Sequence, residues 1–261
     1  MKKVLITGKG SYIGTSFIKW VEEKYPGEFE IDELDMKKDS WENLKFSDYD
    51  AILHVAGIAH QKERKKREEL YYSVNCNLAI KTAQKAKKEG VKHFVFLSSM
   101  SIYGKNVGII KRKEIPMPKT YYGKSKWEAE KVIAGMQNAE FNVAILRPPM
   151  VYGKNCRGNY QLLKRFILKF PVFPLFENSR SMIKIDNLVE DIRHIIFYKK
   201  SGIFFPQNSD FMSTVDLVRE IASEENKNVK FVKVFNIFIR IGLFLHISIV
   251  EKVFGDLIYE R

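Results

Sequence analysis

Apolar positions along the 261-residue chain fall into short continuous runs that alternate with stretches of helical spacing. Lys3-Val4-Leu5-Ile6-Thr7 is the first run, and Ser16 to Lys24 follows with Phe17, Ile18 and Val21 at helical spacing. Pro26-Gly27 ends that helix, and Phe29 to Asp35 alternates like a strand that stops at an acid. Tyr49 to Gly57, Val91 to Leu97 and Val143 to Leu146 read as buried strands, while Leu70 to Glu89 and Lys124 to Met136 read as helices. Strands alternating with helices predict an α/β fold built on a doubly wound parallel sheet, with ligands at the carboxyl ends of the strands.

The alternation breaks at Arg147-Pro148-Pro149 and fades past Val151-Tyr152-Gly153. A helix from Asn159 to Lys169 and a Pro171-Val172-Phe173-Pro174 turn predict a smaller substrate lobe. Ser181 to Leu188 predicts a short strand running into a helix, with Asp186 or Asn187 as its cap. The expected division is therefore 1–155 for a nucleotide-binding domain, to which 181–200 returns, and 156–261 mainly for a substrate-binding lobe. Phe231 to Val250 is strongly apolar, but Lys233, Asn236, Arg240 and His246 interrupt it. That favours a helix packed in the small lobe over a membrane span, with weak association at a membrane surface left open.

The turn after the first strand is Thr7-Gly8-Lys9-Gly10-Ser11-Tyr12-Ile13-Gly14. Gly8 suits a sharp turn and close backbone approach, Gly14 suits helix-on-strand packing, and the N–H groups at the helix start would face a pyrophosphate. Asp35 lies where an acid binds adenosine ribose hydroxyls, which favours NAD; Lys37 and Lys38 follow at once and leave NADP open. Val55, Ala56 and Gly57 are small enough for a cofactor to cross the tip of the third strand. Ser98-Ser99 closes the fourth, and Tyr122 stands four residues before Lys126, so both reach one bound molecule from one helix face. His54 and His60 sit in no nucleophile or metal pattern, and His54 is read as a core histidine.

Composition narrows this little. Hydrophobic residues at 45% and charged residues at 29% are ordinary for a folded chain, which sets disorder aside. Cys76 and Cys156 have no metal-ligand spacing, no metal is expected, and no leader precedes the first strand, pointing to a reducing cytoplasm. The net charge of +13 favours anionic partners. The Lys62–Arg67 run is read as a solvated helix face, because no aromatic platform accompanies it, and no nucleic-acid partner is expected.

Taken together, Thr7-Gly8 to Gly14, Asn75, Ser98-Ser99, Tyr122 to Lys126, Arg147-Pro148 and Arg180 to Leu188 resemble the extended short-chain dehydrogenase/reductase family, in its nucleotide-sugar epimerase and 4-reductase branch. The resemblance implies a Rossmann-like sheet binding NAD, with NADP not excluded. It makes Tyr122 the catalytic acid/base, places Lys126 on the nicotinamide ribose and Ser99 on the reacting oxygen. The implied cofactor set is Thr7, Gly8, Lys9, Ser11, Tyr12, Ile13, Gly14, Asp35, Met36, Val55, Ala56, Gly57, Asn75, Leu97, Ser98, Tyr122, Lys126 and Pro148. The implied substrate set is Ser99, Met100, Tyr122, Pro149, Asn159, Val172, Phe173, Arg180 and Asp256. Helices corresponding to Leu70–Glu89 and Lys124–Met136 would pair in a homodimer.

Three departures stand out: Ser11 replaces the usual middle glycine, the Asp35–Tyr49 connection is short enough to reduce the sheet, and the end at Arg261 implies a shortened small lobe. Dehydratases of this kind carry an Asp-Glu pair after the catalytic hydroxyl, where this chain has Met100-Ser101. The expected activity is then 4-epimerisation of a UDP-hexose or UDP-N-acetylhexosamine through a 4-keto intermediate. The alternative is NAD(P)H-dependent reduction of a UDP-4-keto-6-deoxy-HexNAc in polysaccharide biosynthesis, and a lesser one is a non-catalytic NAD(P)-sensing or nucleic-acid-binding protein.

Overall fold

Runs that are apolar at every position are buried on both faces, and here they become the inner strands of one sheet. The computed structural model describes residues 1–37, 39–59, 64–156 and 158–261. Lys38, His60, Lys62 and Glu63, named above in the phosphate, histidine and basic-run readings, lie outside the described residues.

In chain order the elements are β1 (Lys2–Thr7), α1 (Tyr12–Lys24), β2 (Phe29–Leu34), β3 (Ala51–His54), α2 (Glu68–Tyr71), α3 (Leu78–Lys88), β4 (His93–Leu97), β5 (Gly108–Ile110), α4 (Tyr121–Ala134), β6 (Asn142–Leu146) and β7 (Met150–Tyr152). They continue with α5 (Asn159–Lys169), β8 (Val172–Pro174), β9 (Met182–Lys184), α6 (Ile185–Phe197), β10 (Gly202–Phe204), α7 (Thr214–Glu224), β11 (Lys230–Val232), α8 (Asn236–Phe244), α9 (Ser248–Phe254) and β12 (Leu257–Tyr259). The chain divides into two compact units. One comprises Met1–Gly104, Pro116–Val151 and Ile183–Gln207; the other comprises Lys105–Ile115, Tyr152–Met182 and Asn208–Arg261.

The first unit holds a six-stranded sheet in the order β10-β6-β4-β3-β1-β2. Every pairing in it is parallel, with Lys2 opposite Phe29 and Val4 opposite Ala51. Alternate residues of each strand serve opposite faces. Val4, Ile6, Leu53, Val95 and Leu97 pack with Phe17 of α1 and Leu188 and Ile192 of α6. Leu5, Ile52, Phe94, Phe96 and Val143 pack with Ala79 and Ala83 of α3 and Ala129 and Ile133 of α4. Because β1 lies between β2 and β3, the winding reverses there, which opens a crevice at the carboxyl ends of β1 and β3. The short Asp35–Tyr49 connection carries one 3₁₀ turn at Asp39–Asn43, and Trp41 and Phe46 fill the space beneath it.

Three expectations are corrected. The helix read over Leu70–Glu89 is α2, a π-helical stretch at Tyr72–Asn77, and α3. The helix at Ile185 has Lys184 before it with no side-chain cap, and Asp186 sits in its first turn, where a carboxylate meets the positive end of the helix dipole. Phe231–Val250 is not one helix but the end of β11, then α8 and the start of α9, because His246 turns the chain at φ +52° after α8.

The second unit is organised around two short parallel pairs, β8 with β11 and β5 with β12. Phe173, opposite Phe231, anchors an aromatic cluster with Phe166 and Phe254. Among the described residues no helix is long and apolar enough to cross a membrane, and no His, Cys, Asp and Glu group could hold a metal ion.

Candidate active site

The Gly-rich turn leaves β1 with its backbone already committed. Gly8 and Lys9 N–H groups donate to Leu34 O, Gly10 N–H donates to the Glu33 carboxylate, and Ser11 N–H donates to Gly8 O. Ser11, the residue in place of the middle glycine, is the N-cap of α1 and accepts from Gly14 N at 3.2 Å. Tyr12 and Ile13 follow as the first residues of α1, at the mouth of the helix. Gly8 adopts φ +101°, and a Cβ there would lie 2.9 Å from the Ala56 backbone, so only glycine lets the two strand tips come together. Asp35 follows β2 directly and accepts from Lys37 N at 3.0 Å. Met36 packs on the α3 and α4 face of the sheet.

Beneath the turn, Thr7 and His54 share a buried hydrogen bond at 2.8 Å, so Thr7 supports the crevice from below. His54 lies between the rings of Phe94 and Phe96 and its Nε2 has no partner. Burial, reinforced by the Lys126 charge, pushes it down to about 3, so it is neutral. Beyond Val55, Ala56 and Gly57 the loop is gripped by Asn75, which accepts from Ile58 N at 2.8 Å and donates to Ile58 O at 3.0 Å. A third bond, to Ser125 Oγ at 3.3 Å, ties Asn75 to α4. Asn75 sits in the π-helical stretch, where the extra residue per turn re-aims a side chain.

Ser99 caps the 3₁₀ turn Met100–Tyr103, accepting from Ser101 N at 3.1 Å, and its hydroxyl stands near enough to the Tyr122 phenol to favour the phenolate. Thr120 caps α4 by accepting from Gly123 N, which sets Tyr122 in the first turn. A Cβ on Gly123 would lie 2.6 Å from Ser101 O, so this glycine lets the helix start press on the serine loop. Burial raises the Tyr122 phenol above its ordinary value, the nearby Ser99 hydroxyl opposes this, and Tyr71, packed edge-on at 6.4 Å, adds to the rise. Lys126 is buried and donates to Leu97 O at 2.7 Å, over the Phe96 ring. Burial lowers it to about 8, against the pull of Glu130. The amine is thus turned to the end of β4, and the phenol stays protonated.

Pro148 O accepts from Met100 N at 2.9 Å, Met100 is nearly buried, and Pro149 is buried beside them. Arg147 is held by Glu130 through Nε at 3.0 Å and through Nη2, and it also donates to the Tyr103 hydroxyl. Sequence reasoning missed Glu130, Tyr71, Tyr103 and Ser125. The signal for Glu130 was present, since Tyr122, Lys126 and Glu130 form one i, i+4, i+8 stripe.

The remaining substrate-set residues belong to the second unit. Asn159 is exposed at the first position of α5, Val172 is exposed, and Phe173 is buried in the aromatic cluster. Arg180 gives Nη1 to Gly255 O at 2.6 Å and Glu251 O at 3.4 Å. Asp256 accepts from Ser179 N and lines a cavity of about 410 Å³ with Glu177, Asn178, Asp216 and Arg219. Three carboxylates against one guanidinium make that cavity a poor seat for a diphosphate.

The first unit fits a dinucleotide. Gly10 of the turn opens on free space, α1 begins directly after it with its positive dipole end, and Ser98 Oγ at the end of β4 is buried with no protein partner.

Residues 4–171 match the family model described as the NAD dependent epimerase/dehydratase family. A UDP-glucose 4-epimerase of Vibrio cholerae is 29% identical over 248 residues, covering 85% of this chain and 75% of that protein. The N-acetyl-alpha-D-glucosaminyl-diphospho-ditrans,octacis-undecaprenol 4-epimerase of Escherichia coli O157:H7 is 27% identical, covering 87% of this chain and 73% of that protein. Among solved structures, a UDP-glucuronic acid 4-epimerase from Bacillus cereus in complex with NAD superposes with a TM-score of 0.75 at 17% identity, covering 99% of this chain and 89% of that one. A dTDP-4-dehydrorhamnose reductase from Bacillus anthracis in complex with NADP gives 0.71 at 21% identity, covering 90% and 85%. These two likenesses are of fold.

Proposed function

The chain belongs to the NAD dependent epimerase/dehydratase family, and from that premise we propose that it is a nucleotide-sugar 4-epimerase, acting on a UDP-hexose or UDP-N-acetylhexosamine. The observation that carries the reading is the Ser99 hydroxyl past the end of β4, set beside the Tyr122 phenol and followed by Met100-Ser101 and not by an acid pair. The similarity to the Vibrio cholerae UDP-glucose 4-epimerase supports it.

The turn after β1, the start of α1, Asp35 and Ser98 would hold NAD, which when bound would supply hydride-transfer chemistry. Ser99 holds the 4-oxygen of the sugar by its hydroxyl. Tyr122 takes the proton from that oxygen and returns it after the 4-keto sugar has turned over. Desolvation works against the phenolate, so Tyr122 depends on nearby positive charge. Lys126, lowered to about 8, is still largely an ammonium at neutral pH and supplies part of it. Asn75 holds the Gly57–Ile58 loop in place beside them.

A second reading concerns the carrier of the sugar. The Escherichia coli relative acts, by its name, on a sugar joined through a diphosphate to undecaprenol, and its match covers as much of the chain as the other. The same C4 chemistry serves either carrier. Incubation with UDP-glucose, UDP-N-acetylglucosamine and a polyprenol-diphosphate N-acetylglucosamine, without reductant, tests both. Epimer formation on either UDP-sugar supports the proposal, and epimer formation on the polyprenol-diphosphate sugar alone would replace it with the second reading. Stoichiometric consumption of NAD(P)H on a 4-keto-6-deoxy sugar nucleotide, with no epimer formed, would replace it with the reductase. Pairing through α3 and α4 into a homodimer belongs to the same proposal, and a monomer in sedimentation would remove it.

A further inference from the structure

The apolar stretch after β11 leaves most of its large side chains in solvent. On α8 only Ile239 and Gly242 are buried, while Phe238 is 68% exposed and Phe244 82% exposed. Ile237, Ile241, Leu245 and Ile249 are each half exposed or more. This face is held in place from behind. Gly242 meets Val250 of α9 so closely that a Cβ would lie 2.9 Å from a Val250 methyl, which fixes α8 and α9 as a hairpin with its apolar side outward.

Exposed formal charge along this segment has one sign. From Lys227 to Lys252 the chain carries five cations, Lys227, Lys230, Lys233, Arg240 and Lys252, all exposed. The one carboxylate in that span, Glu251, is buried and bonded to His246 Nδ1 at 2.9 Å and Asn106 Nδ2 at 3.2 Å, so it offsets little of this at the surface. Exposed Phe170 and Val172 lie beside Lys230, whose N–H donates to Pro171 O at 2.8 Å. Large apolar side chains gathered on one exposed helix face in this number mark a contact site.

We propose that the α8–α9 hairpin docks on the surface of an anionic lipid bilayer, with Phe238, Ile241 and Phe244 in the headgroup–acyl boundary and the surrounding cations on lipid phosphates. A bilayer accepts phenyl and aliphatic groups without matching their shape and supplies negative charge around them. A second copy would instead set five cations against five, which like-charge repulsion disfavours. At nine residues α8 lies in the interface and does not span it. The inference is independent of the carrier of the sugar and of turnover.

The test is co-sedimentation of the full chain with vesicles of phosphatidylglycerol and phosphatidylcholine, alongside phosphatidylcholine alone. Wild type should sediment with the anionic vesicles, less so as salt rises, and Phe238→Ser/Phe244→Glu should lower its partition about tenfold or more. Circular dichroism checks that the variant folds, and Lys233→Glu/Arg240→Glu provides a second variant, which should lose the preference for anionic vesicles. No sedimentation of wild type, or equal sedimentation of the Phe238/Phe244 variant, overturns the proposal. So does a wild-type dimer that ignores vesicles and dissociates in that variant, since the occupant would then be a second copy.

Discussion

Acid should weaken this protein through two histidines that do no chemistry. His54 is fully buried between Phe94 and Phe96 with one nitrogen on Thr7, and burial pushes it down to about 3 from 6.5. Between those values the unfolded chain holds a proton that the folded chain refuses, so stability rises with pH there. The contribution is fully present above 6.5 and is lost progressively as pH falls toward 3. From pH 7.5 to 5.0 the loss from His54 is about 2 kcal/mol, and any folded value below about 4 gives the same figure. His93, also buried and pushed down to about 4, adds a similar amount, for a total of about 4 kcal/mol. Urea unfolding followed by tryptophan fluorescence at the two pH values measures it. His54→Asn, which keeps an amide for Thr7 and cannot titrate, should lose only about half as much as wild type. A variant that loses as much as wild type, or a His54 ring that titrates near 6.5 by NMR, would refute the reasoning and return His54 to the list of proton-transfer candidates.

Two further outcomes follow from the buried pair and the turn. Glu130→Gln removes the carboxylate that neutralises the buried Arg147 and should cost about 3–5 kcal/mol in urea unfolding, whereas Glu130→Leu with Arg147→Met together should cost much less. Gly8→Ala forces a side chain into the Ala56 backbone at φ +101°; it should lower stability by about 1–3 kcal/mol and weaken NAD binding at least tenfold in calorimetry, and unchanged binding would move the dinucleotide away from this turn.

The sheet was legible because β1, β3, β4 and β6 are buried on both faces and so read as unbroken apolar runs. Helix starts were less so, since a cap is one residue: Ser11 and Thr120 begin α1 and α4 three or four positions earlier than the periodicity suggested. Ser11 looked like a defect in the turn and is the cap that closes it. The π-helical stretch was invisible, because one extra residue in a turn barely disturbs an apolar pattern while it re-aims Asn75. Side-chain direction was also beyond reach. Spacing put Tyr122 and Lys126 on one face, but only packing shows the Lys126 amine on Leu97 O, and Glu130 holding Arg147. Nor does hydropathy tell a buried phenylalanine from an exposed one, so Phe231–Val250 reads as a helix packed in the small lobe although Phe238 and Phe244 are exposed.

The claim on which the rest depends is that Tyr122 moves the proton at C4. Interconversion of UDP-glucose and UDP-galactose by wild type and Tyr122→Phe, without added reductant and with NAD affinity measured alongside, tests it directly. The account predicts turnover by wild type and a loss of about 100-fold or more in the variant, with NAD affinity nearly unchanged. Full turnover by Tyr122→Phe would contradict it.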